Sequence, residues 1–179
     1  DVIFDNCVFN DVKNTGSNDL NVGIVCGFNN GVISNVIVKN SKIEKVSLGS
    51  LEVGENYTIN AGIVCGLSES GSAFEKVGAV NSSVVCTVET KYKAATANVG
   101  GLVGYADGDN TTKFTIIDCY NTSLITIVDV SSGQYGGIVG SAQVGLIKYT
   151  YNTGEFSGVT YGSLIGYNNG ASLVYNYYL

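Results

Sequence analysis

Glycine and apolar positions recur along this chain as one seven-residue block. The third and seventh positions of the block are always glycine, and the fifth and sixth are always apolar. The copies are NVGIVCG (21–27), NAGIVCG (60–66), NVGGLVG (98–104), QYGGIVG (134–140) and TYGSLIG (160–166). A strand with one exposed face alternates apolar and polar residues. Two adjacent apolar positions therefore predict that a corner of the chain, an inserted loop or a partner covers the second face.

A second apolar strand follows each block and ends at an asparagine. These residues are Asn40, Asn81, Asn121, Asn152 and Asn176, with Asp11 as the counterpart in an incomplete first unit. Asparagine tolerates left-handed backbone, and its amide can hydrogen-bond to an asparagine of the next repeat. The pattern therefore predicts one ladder of turn asparagines along the repeat axis.

The spacing between blocks varies although the block itself is constant. Successive blocks begin 39, 38, 36 and 26 residues apart, which is typical of a solenoid whose extra residues leave the stack as loops. We therefore predict an all-β fold without helix, a right-handed β-solenoid (β-helix) of about five to six rungs. Loops are predicted at residues 44–57, 87–96 and 107–113, and repeat units at 1–20 (partial), 21–59, 60–97, 98–133, 134–159 and 160–179 (partial).

Composition narrows the choice of function. The sequence has no His, Arg, Pro, Met or Trp, and its formal net charge is −6. Nucleic-acid binding needs clustered cations, and a membrane-spanning helix needs about 20 consecutive apolar residues, so we expect neither nucleic acid nor membrane insertion. Because the sequence begins with Asp1, we expect residues 1–179 to be a single repeat domain from a longer chain, with any signal or anchor outside it.

Two stretches of the sequence resemble a known repeat family. The blocks NVGGLVGYADG and QYGGIVG, with the following strands IIDCYNTSLIT and IKYTYNTGEFSG, are similar to the GLUG-type repeat, named for its Gly-Leu-aliphatic-Gly core. The resemblance covers about residues 20–179 and is looser in the first two units, where Cys26 and Cys65 replace an aliphatic residue. It implies a β-solenoid in a secreted or surface protein, such as a bacterial adhesin, an immunoglobulin-A-protease-type protein or a protist surface protein. It implies no catalytic residue.

Few residue types are left that could carry chemistry. Without His and Arg there is no Ser-His-Asp relay, no imidazole metal site and no bidentate clamp for phosphate. Asp107, Asp109, Asp118 and Asp129 form a regional carboxylate cluster of the kind that glycoside hydrolysis requires. Asp107 and Asp109 are also weak candidates for a calcium loop, although Asp-Gly is a common turn. We expect solvated turn acids, no enzyme and no cofactor.

Cysteines and sequons give further candidates for modification. Cys26 and Cys65 stand at equivalent block positions and are predicted to be small buried hydrophobes. A disulfide between them is an open alternative, because adjacent strands lie about 4.8 Å apart. No CxxC spacing occurs among the five cysteines, so no zinc site is expected. Sequons occur at Asn56, Asn81, Asn110 and Asn121; Asn56 and Asn110 are the candidate glycosylation sites, since the other two belong to the predicted ladder.

Most of the twelve tyrosines lie after residue 100. Alignment of the units places Tyr135 with Tyr161, and Tyr120 with Tyr151 and Tyr175. Such columns predict either stacking that stiffens the solenoid or a face that binds a glycan or protein.

These observations favour a non-enzymatic structural or adhesive module of a secreted or cell-surface protein, with a protein or glycan ligand. The alternative is an interlocking subunit of a larger assembly or filament, because the sequence YNYYL (175–179) would leave an apolar strand edge for end-to-end self-association or further repeats to cover. A carbohydrate-active β-helix enzyme is the third option.

Overall fold

The computed structural model describes residues 1–14, 18–48, 57–87, 96–128, 130, 132–158 and 161–179. These residues form strands and turns, and none of them is helical. In chain order the strands are β1 (Val2–Asp5), β2 (Val8–Phe9), β3 (Val12–Asn14), β4 (Leu20–Val22), β5 (Cys26–Asn29), β6 (Val32–Lys39), β7 (Lys42–Leu48), β8 (Thr58–Gly62), β9 (Cys65–Ser68), β10 (Ala73–Thr87), β11 (Thr96–Gly100), β12 (Val103–Ala106), β13 (Phe114–Ile117), β14 (Tyr120–Val128), β15 (Gly133–Gly136), β16 (Val139–Ala142), β17 (Gly145–Lys148), β18 (Tyr151–Asn152), β19 (Phe156–Ser157), β20 (Ile165–Asn168), β21 (Ser172–Val174) and β22 (Tyr177–Tyr178).

The strands form three parallel sheets that the chain visits in rotation. The first block sheet has the order β15-β11-β8-β4, and the second block sheet has the order β20-β16-β12-β9-β5. The other strands form a 13-stranded long sheet. Four successive circuits add one strand to each block sheet, and a fifth adds β20 to the second; the chain returns each time through the long sheet. The fold is therefore a β-solenoid, and the all-β prediction is confirmed.

Strand register confirms the alignment of the seven-residue blocks. In the first block sheet Asn60 pairs with Asn21 and with Asn98, and Asn98 pairs with Gln134. The second block sheet aligns Cys26, Cys65, Val103, Val139 and Ile165. A bridge between Gly136 and Gly162 extends the first alignment to the fifth block. The spacing between blocks is therefore the number of residues in one circuit of the solenoid.

The two adjacent apolar positions of the block are explained by a corner. Residues 63 and 64 form a bend between β8 and β9, and Val64 and Cys65 are both fully buried. The equivalent pair Leu102 and Val103 is also fully buried. The chain changes sheet at this point, so consecutive side chains both face the interior, as in the corner alternative of the sequence analysis.

The predicted loops are only partly correct. Residues 44–48 belong to β7, which pairs with β10, so the loop predicted at residues 44–57 begins too early. Residues 49–56 and 88–95 lie outside the described residues. Residues 107–113 connect β12 to β13, as predicted. The strand signal of residues 44–48 was missed because two consecutive exposed residues, Glu44 and Lys45, separate the buried Ile43 and Val46 and break the alternation.

The predicted single asparagine ladder is replaced by separate ladders. Asn81 donates from Nδ2 to Oδ1 of Asn40 at 2.8 Å on the surface, whereas Asn121 donates to Oδ1 of Asn152 at 2.9 Å in the interior. Asn121 pairs in register with Ala79, not with Asn81. The two ladders are therefore offset by two positions along the long sheet.

A third ladder begins the blocks and was not predicted. Asn60 donates to Oδ1 of Asn21, and Asn98 donates to Oδ1 of Asn60, both at 2.8 Å. Asn60 and Asn98 are buried. Each of these bonds joins neighbouring circuits through side chains in addition to the backbone ladder.

The interior asparagines fit against glycines of the blocks. A Cβ at Gly101 would overlap Nδ2 of Asn121, and a Cβ at Gly137 would overlap Nδ2 of Asn152. In the earlier circuit Ile63 stands at the block position of Gly101, and Ala79 pairs with Asn121. In the earlier circuit the block residue is large and the long-sheet residue is small, as in Ile63 and Ala79. In the next circuit the block residue is small and the long-sheet residue is large, as in Gly101 and Asn121, which keeps the core filled.

Candidate functional site

One corner of the long sheet is formed by residues with left-handed backbone. Successive circuits place a residue with φ between 52° and 55° at this corner. The residues are Asn35, Lys76, Asp118, Tyr149 and Tyr175. Left-handed backbone is common for asparagine and aspartate but costs a tyrosine about 1 kcal/mol. The register of the solenoid therefore imposes this conformation on whichever residue falls at the corner.

Tyrosines lie at this corner and just after it in the last circuits. At the turn itself, the rings of Tyr149 and Tyr175 stack with centroids 5.6 Å apart and planes 6° apart. After the turn, the rings of Tyr120 and Tyr151 stack at 5.3 Å and 10°. Tyr177 continues the second row, because it pairs in register with Tyr151. Both rows follow the stacking direction of the strands.

A groove lies between the two tyrosine rows. Its volume is about 600 Å³, and its lining residues are Tyr149, Thr150, Tyr151, Tyr175 and Tyr177. These five residues define the tyrosine groove. None of them carries a charge at neutral pH. The Nζ atom of Lys148 lies 4.4 Å from the ring centroid of Tyr149.

The floor of the tyrosine groove is held by internal hydrogen bonds. Thr150 donates its backbone N–H to Oδ1 of Asn176 at 2.9 Å, and its hydroxyl donates to the Lys148 carbonyl at 3.1 Å. Asn176 donates from Nδ2 to the Ile147 carbonyl at 2.9 Å. The floor is therefore fixed in place by the fold, and ring edges and phenol groups remain exposed above it.

A glycine opposite the second tyrosine row allows the rings to lean. Gly78 pairs with Tyr120, and a Cβ at Gly78 would overlap the Tyr120 ring. The ring therefore covers the backbone of the preceding circuit. Tyr120 is half-buried, and this burial raises the pKa of its phenol. The ring of Tyr120 is thus packed against the fold at one end of the row, whereas Tyr177 at the other end is 72% exposed.

The structure places the five predicted tyrosines in three different environments. Tyr120 and Tyr151 stack as predicted, but Tyr175 stacks on Tyr149 in the neighbouring row. Tyr135 is only 7% exposed, so the prediction that it lies on a surface face is wrong. Burial raises its pKa to about 12, and its hydroxyl has no hydrogen-bond partner among the described residues.

The alignment of Tyr135 with Tyr161 is correct, although the two differ in environment. The bridge between Gly136 and Gly162 places the preceding residues, Tyr135 and Tyr161, side by side. Tyr161 is exposed and stacks on Phe156 with ring centroids 3.9 Å apart. It lies outside the tyrosine groove.

Sequence reasoning missed two groove tyrosines, Tyr149 and Tyr177, and the threonine between the rows, Thr150. Alignment on the asparagines paired Asn152 with Asn176, whereas the structure pairs Asn152 with Tyr178. This two-residue error moved Tyr175 into the wrong row. The YxY spacing of Tyr149 and Tyr151 repeats at Tyr175 and Tyr177 and was the available signal.

Comparison with known proteins agrees with the repeat pattern. A family model described as the GLUG motif matches residues 95–128. The matched stretch contains β11, β12, β13 and β14, which together make one circuit through all three sheets. The chain is a β-solenoid that carries a GLUG motif at residues 95–128. No match was found among curated proteins or among solved structures.

The predicted calcium residues of this β-solenoid have protein partners. Asp109 Oδ1 accepts hydrogen bonds from the backbone N–H groups of Thr111 and Thr112, both at 2.7 Å, and from the Thr111 hydroxyl at 2.6 Å. The Thr111 hydroxyl and these N–H groups lower the pKa of Asp109. Asp107 accepts a bond from the Ser70 hydroxyl at 3.5 Å. Asp109 therefore acts as a turn cap in this structure.

The other carboxylates of the predicted cluster are separated. Asp118 is one of the left-handed corner residues, and Asp129 lies outside the described residues. In the described part of the chain, no three His, Cys, Asp or Glu side chains are grouped so that they could hold a metal ion. Nor do the described residues include a helix long and apolar enough to cross a membrane.

The sequons of the β-solenoid differ in access. Asn110 is exposed in the loop after β12, whereas Asn56 lies outside the described residues. Asn81 is exposed but donates to Asn40, and Asn121 is fully buried. A glycan on Asn121 would therefore require the core to open.

Proposed function

We propose that this chain is a non-enzymatic structural and adhesive repeat module of a secreted or cell-surface protein, which presents its loops and the tyrosine groove to a glycan or protein ligand. In this proposal the solenoid is right-handed and has about five to six rungs, following the repeat units of the sequence. In this proposal the module binds no nucleic acid, does not insert into a membrane and uses no cofactor.

The observation that carries the proposal is the tyrosine groove. Its two rows of rings are stacked within 10° of parallel and stand on a hydrogen-bonded floor. Binding costs less free energy when the side chains that contact the ligand are already ordered. An uncharged lining with phenol groups fits an uncharged ligand that offers both hydroxyls and apolar faces, and neutral oligosaccharides have this chemistry.

Binding of neutral oligosaccharides tests the proposal. We expect immobilised neutral oligosaccharides to capture the wild-type chain, and Tyr149→Ala to weaken binding about 10-fold through loss of one aromatic contact. Tyr167→Ala is the matched control, because Tyr167 and Tyr149 are both 48% exposed and Tyr167 lies outside the groove. Equal binding by the two variants, or no binding to any oligosaccharide of the panel, would contradict the assignment of the groove.

A second candidate function is that of an interlocking subunit. Large apolar side chains are exposed on the outermost circuits at both ends of the stack, including Val2 and Ile3 at one end and Leu173 and Leu179 at the other. Through the register of the long sheet, Ile3 and Tyr177 belong to one column. Head-to-tail stacking of two copies would bring these two residues together and cover exposed strand edges.

Sedimentation distinguishes this second function from the first. An interlocking subunit should show a sedimentation coefficient that rises with protein concentration, and Ile3→Lys should abolish the rise by placing a charge in the contact. Ser34→Lys is a control on the same sheet, at an exposed position between the two ends. A concentration-independent monomer would exclude the subunit function and leave the adhesive module.

A further inference from the structure

Two cysteines from successive circuits meet at the edge of the second block sheet. Cys26 in β5 pairs in register with Cys65 in β9. Partners in adjacent parallel strands lie about 4.8 Å apart, and disulfides span Cα separations of about 4.4–6.8 Å. The backbone therefore already holds the two residues at bonding distance.

The two thiols are in direct contact and have different surroundings. The Cys26 and Cys65 side chains lie within hydrogen-bonding reach of each other, and the Cys65 thiol donates to the Leu67 carbonyl oxygen at 3.2 Å. Cys65 is fully buried, whereas Cys26 is half-buried. Cys26 lies on the outermost strand of its sheet, because β5 pairs only with β9 among the described strands. An external reagent can thus reach one sulfur of the pair.

The remaining cysteines do not form such a pair. Cys86 pairs with Val46 and Ile127 in the long sheet, and Cys119 and Cys7 belong to other columns. In the later circuits Val103 and Val139 stand where Cys65 stands. A small apolar residue satisfies the packing at this position, so two thiols in contact are not required by the core.

We propose that Cys26 and Cys65 form a redox-active pair that a low-molecular-weight disulfide converts into a disulfide bond between successive circuits. The Cys26 thiolate attacks one sulfur of the external disulfide, which releases one thiolate and leaves a mixed disulfide on Cys26. The Cys65 sulfur then attacks the Cys26 sulfur, and the second external thiolate leaves. The two protons of the protein thiols pass to the two leaving thiolates, and the two electrons reduce the external disulfide to two thiols.

The electrostatics of the pair agree with this order of events. The interaction with Cys65 lowers the pKa of Cys26, whereas the interaction with Cys26 and burial raise the pKa of Cys65. The more acidic and more accessible sulfur is the attacking group, and the protected sulfur resolves the mixed disulfide. The pair goes beyond the proposed ligand-binding function, since it lies outside the tyrosine groove.

Tryptic mapping tests the pair directly. Trypsin cleaves after lysine, and the five cysteines fall into different fragments, with Cys26 in 14–39 and Cys65 in 46–76. The full chain is equilibrated with oxidised glutathione, its remaining thiols are alkylated in denaturant, and the digest is weighed. We expect fragments 14–39 and 46–76 to appear as one cross-linked species, lighter by two hydrogen atoms, while the other three cysteines are alkylated.

Valine variants decide between a pair and two independent thiols. Cys65→Val should leave glutathione bound to Cys26, and Cys26→Val should remove glutathione from both positions. Cys86→Val is the control and should retain the cross-link, because Cys86 lies in another sheet. Far-UV circular dichroism that matches the wild type shows that each variant is folded.

Two results would overturn the proposal. One is a wild-type chain that keeps glutathione on Cys26 without cross-linking, because the buried sulfur would then be out of reach. The other is a mixture of cross-links in which the link between fragments 14–39 and 46–76 is no more abundant than links between other fragments. In the expected case, the oxidised chain also melts at a higher temperature than the reduced chain, and Cys65→Val loses this difference.

Discussion

The structure contains two asparagine ladders with nearly the same bond length, one buried and one exposed. Comparing them measures how burial changes the cost of a charge in the ladder. Asn121 is fully buried, donates to Asn152 at 2.9 Å and accepts the Ser123 backbone N–H at 3.0 Å. Asn81 donates to Asn40 at 2.8 Å and is exposed. We predict that Asn121→Asp destabilises the protein far more than Asn81→Asp, although both changes replace the same amide by a carboxyl group.

The magnitude follows from the environment of each side chain. Complete burial raises the pKa of a carboxyl group by about 3 units or more, and each unit corresponds to about 1.4 kcal/mol. Asn121→Asp should therefore reduce the free energy of unfolding by about 4 kcal/mol at pH 7. A flip of the Asn152 amide could not compensate, because Asn152 also bonds to the Ser163 carbonyl and the Gly154 N–H. Asn81→Asp loses one exposed hydrogen bond, which contributes about 1 kcal/mol or less.

The pH dependence gives a second and independent test. The folded-state pKa of the introduced carboxyl group is raised above its unfolded value. Stability is therefore greatest below the unfolded pKa of about 3.9 and is lost as pH rises towards the folded pKa. At pH 4.5 the cost of Asn121→Asp should fall to about 1 kcal/mol, since the protonated group is neutral and can donate to Asn152.

Urea unfolding followed by far-UV circular dichroism measures both effects for the wild type and the two variants at pH 7 and pH 4.5. The m-values must agree for the midpoints to be compared as free energies. Costs within about 1 kcal/mol of each other at pH 7 would refute the burial argument. So would a cost for Asn121→Asp that does not decrease at pH 4.5.

Three further predictions use the core and the glycines. Gly101→Ala should destabilise the protein by at least about 2 kcal/mol in urea unfolding, because the new Cβ would overlap backbone and a buried amide. Gly31→Ala is the control and should cost under about 0.5 kcal/mol, because a Cβ at Gly31 meets nothing closer than 3.9 Å. Gly78→Ala should displace the Tyr120 ring and reduce the near-UV circular dichroism of tyrosine, with little loss of stability because a side chain can move aside. Burial raises the pKa of Cys86 from 9.0 to about 12, so the stability that its protonated thiol contributes is fully present below pH 9 and is lost as pH rises towards 12. Between pH 8 and pH 10, the free energy of unfolding measured with urea should therefore fall by about 1.4 kcal/mol less for Cys86→Val than for the wild type. An equal fall in the two proteins would contradict the raised pKa of Cys86.

The repeat block allowed the fold to be predicted in advance, because its residues lie where neighbouring circuits must be alike. Glycines that approach another backbone and aliphatic residues at the corner have few alternatives, so they recur in the sequence with their spacing intact. The long sheet was harder to predict. A bulge between Val80 and Ser83, which contains the left-handed Asn81, shifts its register, and the alignment of the repeats did not predict that shift.

The candidate site shows the same contrast on a smaller scale. The stack of Tyr120 on Tyr151 could be predicted from the repeat, whereas Tyr135 has the same place in its block as Tyr161 and yet points into the core. An aromatic ring fills interior space in one circuit and is exposed in the next. Which of these happens depends on the neighbouring circuit, which a comparison of equivalent positions does not contain.

The sequence by itself determined the class of fold, the alignment of the blocks and the absence of imidazole and guanidinium chemistry, because these follow from residue types and their spacing. Only the tertiary structure decided how Tyr149 and Tyr177 join Tyr151 and Tyr175 around one groove, and which thiols meet. Contacts between circuits depend on register, and a shift of one or two residues changes every neighbour of a side chain while leaving the repeat pattern unchanged.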